Sequence, residues 1–201
     1  MRWRRVGEHA SLLECESLAQ VNAARATVAA ANLAGVVELV PGARSLLIEA
    51  DPGTLLRARE LLASADLDHP PDPHPREVTL DVHYDGEDLE LVARDAGLSV
   101  DDVVALHTEP EYTVAFTGFA PGFGYLSGLP EPLRQSRLDT PRTRVPAGSV
   151  GVAGEFTGVY PRSSPGGWRL LGHTDATLFD ARAERPALLA PGDRVRFRRV
   201  R

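Results

Sequence analysis

The sequence predicts an α+β protein, with a small α/β sandwich in its first part and an all-β barrel or sandwich in its second. Three observations support this prediction. Apolar runs of strand length alternate with stretches of helical periodicity over the first 65 residues, a proline-rich segment follows at residues 66–75, and short apolar bursts between glycine and proline turns fill the chain after residue 112. Because 201 residues can form two small domains, we expect domains at residues 1–75 and 76–201.

The first domain is predicted to contain four strands and two helices. In chain order, two strands broken at Gly7-Glu8 are expected within residues 2–15, a helix over 18–32, strands over 36–40 and 45–49, and a helix from residue 52. Ser17 is a suitable N-cap for the first helix, and Asp51 followed by Pro52 is typical of a helix start. Strands and helices interleaved in this way favour a sheet with helices on one face.

The segment at residues 66–75 is predicted to be a linker. Its four prolines disfavour both helix and sheet interior. The segment also contains His69, His74 and three aspartates, but these side chains lie on an extended segment with no scaffold to fix their geometry. We therefore expect no metal site.

The second domain is predicted to begin with a strand over residues 77–84 and a turn at Asp85-Gly86. Two helices then form a helical connector near residues 88–107, the second of them starting at a capping box of Ser99 and Asp102. The final strand has an alternating pattern, with Val195 and Phe197 directed inward and arginines outward. An interaction patch formed by these arginines is the less favoured alternative.

Composition and charge exclude several classes of function. The net charge of −6 does not favour nucleic acid as a partner. All 22 basic residues are arginines, so the chain has no lysine for a phosphate-binding loop or a Schiff base. No apolar run approaches the length of a membrane span, and we expect a cytoplasmic protein without membrane or nucleic-acid partners.

The candidate site lies in the glycine-rich stretch at residues 116–174, where aromatic rings and two arginines accompany the turns. Arg142 and Arg144 are two residues apart, so in a strand both guanidinium groups face one side and could bind a carboxylate or phosphate. The alternative is that the glycines and prolines only form turns and the arginines are solvated.

Two familiar motifs are not supported. The glycines of residues 122–128 miss the dinucleotide-binding spacing by one residue, and no helical pattern follows them. A Ser-His-Asp triad could combine His173 with one of several serines and with Asp175 or Asp180, but none of these serines has a nucleophile-elbow sequence.

Longer motifs in order along the chain carry a resemblance to a known family. They occupy residues 84–89, 106–112, 118–130, 140–151, 157–161, 164–168 and 191–197, with a weaker match at 40–46. These segments resemble the family of the 5-oxoprolinase B subunit, also called allophanate hydrolase subunit 1, which includes the kinase inhibitor KipI. The sequence departs from the family pattern at Phe156, where glutamine is common, and at His173, where arginine is usual.

The resemblance implies a cyclophilin-like β-barrel as the second domain and a direct pairing with a protein similar to the 5-oxoprolinase C subunit. With a protein similar to the A subunit as well, the family's complex opens 5-oxo-L-proline to L-glutamate with ATP, which one of the partners is expected to bind. Carried over to this chain, Arg142 and Arg144 would be catalytic residues that hold a carboxylate or phosphate, and His173, which replaces the usual arginine, is a third candidate catalytic residue. The substrate-binding residues would be Gly118, Phe119, Pro121, Gly122, Tyr125, Ser164, Gly166, Gly167 and Trp168.

Two alternatives remain open at the level of the sequence. One is a KipI-like inhibitor of a sensor histidine kinase with no chemistry of its own. The other is a carboxyltransferase-like component in urea or allophanate metabolism.

Overall fold

The computed structural model describes residues 1–71 and 75–200, and it divides the chain into two compact units, Met1–Pro75 and Arg76–Arg201. The predicted α+β fold class is confirmed. Three residues of the predicted linker, Asp72, Pro73 and His74, lie outside the described residues. Within the described ranges, no helix is long and apolar enough to cross a membrane.

The first unit is a four-stranded antiparallel sheet in the order β1-β2-β4-β3, with two helices packed against it. Its elements are β1 (Arg2–Val6), β2 (Ala10–Glu14), α1 (Leu18–Ala30), β3 (Val36–Pro41), β4 (Ser45–Ala50) and α2 (Pro52–Ser64). Leu13, Leu46 and Ile48 are fully buried between the sheet and the helices. This arrangement corresponds to the predicted sandwich.

Local capping explains where the two helices of the first unit begin. The side chain of Ser17 accepts a hydrogen bond from the Gln20 backbone, and Asp51 accepts bonds from Gly53 and Thr54. Both caps satisfy backbone N–H groups that have no partner within the helix. Both helix starts were therefore predictable from residues close in sequence.

The second unit contains a seven-stranded sheet in the order β12-β9-β10-β7-β6-β13-β5, and a separate two-stranded ribbon of β11 and β8. Its strands are β5 (Glu77–Val82), β6 (Tyr112–Thr117), β7 (Gly124–Ser127), β8 (Arg142–Val145), β9 (Ser149–Ala153), β10 (Phe156–Val159), β11 (Ser164–Gly166), β12 (Arg169–His173) and β13 (Arg194–Arg199). All pairs are antiparallel except that of β13 with β5.

The alternating pattern predicted for the last strand is confirmed. Val195 and Phe197 are buried in the core, whereas the arginines of β13 lie at the surface. Four of these arginines form ion pairs with acidic side chains: Arg194 and Arg196 with Glu111, Arg198 with Asp81, and Arg199 with Asp101. The basic cluster is thus largely neutralised by its own chain.

The seven-stranded sheet closes into a barrel where the chain after β5 meets β12. His83 and His173 exchange two backbone hydrogen bonds, each of 2.9 Å. The chain then continues along β12, with Gly86 N bonded to Leu171 O at 3.1 Å and Asp88 N to Leu170 O at 3.1 Å. We call this pairing of residues 83–88 with β12 the seam. The strand predicted to reach residue 84 ends at Val82, because the chain leaves β13 there to pair across the seam.

Two helices close the core of the barrel unit, α3 (Leu89–Ala96) and α4 (Val100–Thr108). Their buried residues belong to the same core cluster as the barrel strands, including Val92 and Val103. The predicted capping box is present at the start of α4, where Ser99 and Asp102 bond reciprocally.

Candidate functional site

A cavity of about 250 Å³ lies against the seam, and we call it the seam cavity. Its lining residues are Asp85, Gly86, Glu87, Pro146, Ala147, Ser149, Leu170, Gly172 and His173. They come from three segments far apart in sequence, which barrel closure brings together. Two of them lie in the motifs at residues 84–89 and 140–151, and the third contains His173.

The histidine predicted as catalytic lines this cavity and is bound to an aspartate. His173 Nδ1 lies 2.8 Å from Asp85 Oδ1, and its ring stacks on His83 with the centroids 5.0 Å apart. Because a carboxylate can only accept, Nδ1 carries the proton and Nε2 of the neutral ring is left as an acceptor. The His173 side chain is 44% exposed. This is the arrangement of a base held by an orienting carboxylate.

Ser149 is the second polar side chain on this wall of the cavity. It lies directly opposite His173 in the register of β9 and β12, so both side chains project from the same face of the sheet. Ser149 is 4% exposed, and its hydroxyl forms no hydrogen bond within residues 1–71 and 75–200. It is therefore available to a ligand that enters the cavity.

Arg142, the first arginine predicted as catalytic, is bound to two carboxylates of its own chain. Its Nη2 lies 2.8 Å from Asp88 Oδ1, and its Nε lies 3.1 Å from Glu87 Oε2. Asp88 is buried, and its other oxygen accepts a bond from Leu170 N at 2.8 Å. The hydrogen bond to Asp88 raises the pKa of Arg142. Arg142 therefore fixes the segment that forms one wall of the seam cavity.

Arg144, the second predicted arginine, is much less engaged. It is exposed at the surface of β8, and its Nε donates one hydrogen bond of 3.2 Å to the Ser163 hydroxyl. It lies two residues before Pro146, which lines the seam cavity. Of the two arginines, Arg144 has the more accessible guanidinium group.

We predict that Arg142→Ala destabilises the barrel unit whereas Arg144→Ala does not. Removing one partner of a buried ion pair costs about 3–5 kcal/mol, and since the Arg142 side chain is 21% exposed we expect the free energy of unfolding to fall by about 2–3 kcal/mol. Arg144→Ala should change it by about 0.5 kcal/mol or less. Urea unfolding followed by the fluorescence of the buried Trp168 measures both variants, and equal stabilities would contradict the structural role of Arg142.

A second, smaller cavity of about 50 Å³ lies among aromatic rings, and we call it the aromatic slot. Its lining residues are Phe119, Phe123, Tyr125, Arg137, Tyr160, Gly166, Gly167 and Trp168. Phe123, Tyr160 and Trp168 are buried and packed edge to face. A Cβ atom at Gly166 would overlap the Tyr160 hydroxyl, so this position requires glycine.

Burial in the aromatic slot raises the pKa of Tyr160. The slot can take an apolar group no larger than a small ring.

The residue at the surface of the aromatic slot has an unusual backbone. Phe119 has φ +65°, in the left-handed region that a bulky residue rarely adopts, and the residue is 59% exposed. Nearby, Arg137 lines the slot and forms no hydrogen bond or ion pair with any described residue.

The remaining residues predicted to bind substrate lie elsewhere. Gly118, Pro121 and Gly122 line an apolar pocket of about 540 Å³ together with Phe119, Ala187 and residues 189–191. The Ser164 hydroxyl, on β11, is buried and has no hydrogen-bond partner in the described part of the chain. The predicted substrate-binding residues are thus divided between the slot, the apolar pocket and the ribbon, and the seam cavity is formed by others.

Several residues that shape these cavities were not identified as site residues from the sequence, among them Asp85, Asp88 and Arg137. Asp85 was interpreted only as a turn residue, and Asp88 only as part of a helix. Asp85 lies 88 positions before His173, and no local pattern connects the two. In the described residues, no group of three or more His, Cys, Asp or Glu side chains is arranged to hold a metal ion.

The closed barrel with its preceding sandwich corresponds to a defined class of domain. The sequence profile of the carboxyltransferase domain, subdomains C and D, matches residues 1–189. The chain therefore belongs to the carboxyltransferase-domain family.

Within this family, the chain is similar to the B subunit of 5-oxoprolinase. The protein of that name from Escherichia coli O157:H7 is 41% identical over 208 residues, which cover 96% of this chain and 93% of the relative. The family resemblance drawn from the sequence motifs is thereby confirmed.

Solved structures share the fold of this chain. The crystal structure of TTHA0988 matches with a TM-score of 0.80 and 39% identity, and covers 96% of this chain. This chain spans only 40% of the TTHA0988 chain. The urea amidolyase of Kluyveromyces lactis matches with a TM-score of 0.73 at 21% identity over 98% of this chain and 15% of that one, which shows a shared fold.

Proposed function

We propose that this chain is the B subunit of a 5-oxoprolinase complex that opens the lactam of 5-oxo-L-proline to L-glutamate with ATP hydrolysis, together with the A and C subunits. The observation that carries the proposal is the 41% identity with a protein of that name over nearly the full length of both chains. The reaction is the hydrolysis of a stable cyclic amide, which requires a site for the ring, a cation for its carboxylate and a group that activates water.

We place the substrate in the seam cavity. Its volume of about 250 Å³ is suited to a five-membered ring with one carboxylate, and it contains a base-type histidine and a free serine hydroxyl. Arg144 is the arginine proposed to bind the carboxylate, because the Nε and Nη2 atoms of Arg142 are already bound to Glu87 and Asp88. The aromatic slot with Arg137 is the alternative location.

The glycine-rich loop of this chain differs from the familiar phosphate-binding loop. Residues 118–123 connect β6 to β7 in an antiparallel hairpin, whereas a phosphate-binding loop of the familiar kind joins a strand to a helix N-terminus. The sequence also contains no lysine. We therefore assign ATP binding to one of the partner proteins.

We predict that glutamate is released from 5-oxo-L-proline only when this chain, its A and C partners and ATP are all present. Co-purification of the three proteins followed by an assay of glutamate release with and without ATP tests this. A stable complex that releases no glutamate would contradict the proposed function.

The same assay locates the substrate. Arg144→Ala should raise KM about 10- to 100-fold, since a hydrogen bond to a charged group contributes about 1.5–3 kcal/mol. Arg162, exposed and without a partner among the described residues, provides the matched control, and Arg162→Ala should leave KM unchanged. If Arg137→Ala raised KM and Arg144→Ala did not, the substrate would lie in the aromatic slot.

A further inference from the structure

We propose that His173 is the general base that activates water for opening the ring, and that Asp85 is the positioning residue that orients it. This inference rests on the proposed function and adds the identity of the group that moves the proton.

Three contacts restrain the His173 ring. The Asp85 carboxylate accepts from Nδ1 at 2.8 Å, the His83 ring stacks on it with an interplanar angle of 20°, and the paired backbone bonds between His83 and His173 fix both Cα positions. Because Nδ1 is occupied, Nε2 is the nitrogen that can receive a proton. A ring fixed in one tautomer and one orientation loses little entropy when it takes part in a reaction.

The surroundings of the ring are suited to water activation. His173 lines a cavity open to solvent, so both water and a small ligand can reach it. The Ser149 hydroxyl, which has no partner in the described chain, lies on the same wall and can hydrogen-bond the substrate. Glu87 also lines the cavity, but its carboxylate is bound to Arg142 and so does not compete for the imidazole.

Ring opening in this cavity requires only the substrate, one water molecule and His173 for its proton transfers. As the water oxygen bonds to the ring carbonyl carbon, one water proton passes to Nε2 of His173, and the carbonyl electron pair moves to its oxygen. When the carbon–nitrogen bond breaks, the nitrogen takes that proton from Nε2, which returns the histidine to its neutral form. Asp85 keeps its charge throughout and stabilises the transient imidazolium. The coupled hydrolysis of ATP is assigned to the partner protein that binds it.

The chain contains a natural control for this pair. In the first unit, His69 Nδ1 lies 2.9 Å from Asp66 Oδ2, so a second histidine–aspartate pair has nearly the same geometry. The side chains of this pair are 85% and 66% exposed. Any property that follows from the pairing alone should be common to both histidines, whereas a catalytic role should belong to His173 only.

Two measurements test the proposal. In ¹⁵N NMR spectra of the full-length chain alone, neutral His173 should carry its proton on Nδ1, and Asp85→Asn should produce a mixture of tautomers. In the complex, His173→Ala should lower kcat by about 10²- to 10⁴-fold with KM nearly unchanged, and added imidazole should restore part of the activity. Asp85→Asn should lower kcat by a smaller factor, and His69→Ala should leave it unchanged.

The possible failures are distinguishable. Loss of glutamate release in the wild-type complex would overturn the proposed function. Full activity of His173→Ala in an active complex, or a proton on Nε2 of His173 in the isolated chain, would overturn the role of His173 and leave the proposed function intact. Loss of activity that imidazole does not restore, with KM raised instead, would assign His173 to substrate binding and overturn its role as the base.

Discussion

Replacement of Gly172 by alanine is expected to open the barrel. A Cβ atom at this position would overlap the carbonyl oxygen of His83 and crowd the Cα of Tyr84, which are backbone atoms that cannot move without breaking the seam. The seam consists of the paired bonds between His83 and His173 and of the bonds from Gly86 and Asp88 to β12. We expect the free energy of unfolding of the barrel unit to fall by more than about 4 kcal/mol, which is beyond the usual range for a point mutation.

The control for this variant is a glycine that has a positive φ but has space for a Cβ atom. Gly154 has φ +57°, but a Cβ atom there would meet nothing within 4 Å. Gly154→Ala therefore tests backbone strain without a clash and should cost about 1–2 kcal/mol. Chemical unfolding monitored by Trp168 fluorescence measures both, and a Gly172→Ala protein as stable as Gly154→Ala would show that the seam does not hold the barrel closed.

The second large effect is a loss of stability at low pH, which we expect to arise from His107. This residue is fully buried in the barrel core and stacks on Phe197 with ring centroids 4.5 Å apart. Burial lowers its pKa from 6.5 to about 3, so the histidine is neutral in the folded protein.

The hydrogen bonds of His107 define its tautomer. The Thr157 hydroxyl donates to the Gly151 carbonyl at 3.0 Å, so it must accept from His107 Nε2 at 2.9 Å. Nδ1 then accepts from the Tyr84 hydroxyl at 2.7 Å. This chain of bonds links α4 to two barrel strands and to the seam segment, and it satisfies the polar atoms of a histidine that has no access to water.

The sign of the pH effect follows from these pKa values. Below pH 6.5 the unfolded chain binds a proton at His107 that the folded protein does not bind, so acid favours unfolding. At about 1.4 kcal/mol for each pH unit, the free energy of unfolding should fall by up to about 5 kcal/mol between pH 6.5 and pH 3. This stability is fully present above pH 6.5.

Unfolding experiments across this pH range should separate His107 from other groups. Asp81, Asp95 and Asp102 have lowered pKa values because they accept hydrogen bonds from Arg198, Arg169 and Ser99, so they add to acid lability mainly below pH 4. His107→Gln should be less stable at pH 7 and should lose the pH dependence between pH 4 and 6.5, whereas His69→Gln should retain it. An unchanged slope in His107→Gln would contradict the assignment.

Much of the fold could be predicted from the sequence because it depends on residues that are close together. Ser17, Asp51 and Ser99 cap helices through hydrogen bonds to backbone groups two or three positions away. The inward positions of Val195 and Phe197 follow from alternation along one strand. The family resemblance was also visible, since its motifs are continuous segments.

The candidate site could be predicted only in part. The importance of Arg142, Arg144 and His173 was proposed from spacing and resemblance, but their partners were not. Arg142 meets Asp88 across 54 positions, and His173 meets Asp85 across 88. Such contacts are set by strand order, register and the closure of the barrel, and none of these has a local signature in the sequence.

The sequence by itself determined the α+β fold class, the residues at which helices start, the inward and outward positions along the last strand, and the family. Tertiary structure alone decided that Arg142 is bound to carboxylates, that Arg137 forms no hydrogen bond or ion pair with the described residues, and that the Asp85 carboxylate is hydrogen-bonded to His173. The physical reason is the separation along the chain over which each effect acts. Backbone preference and capping act within a few residues, whereas a side chain's ion pair, tautomer and exposure depend on which distant segments the closed sheet places beside it.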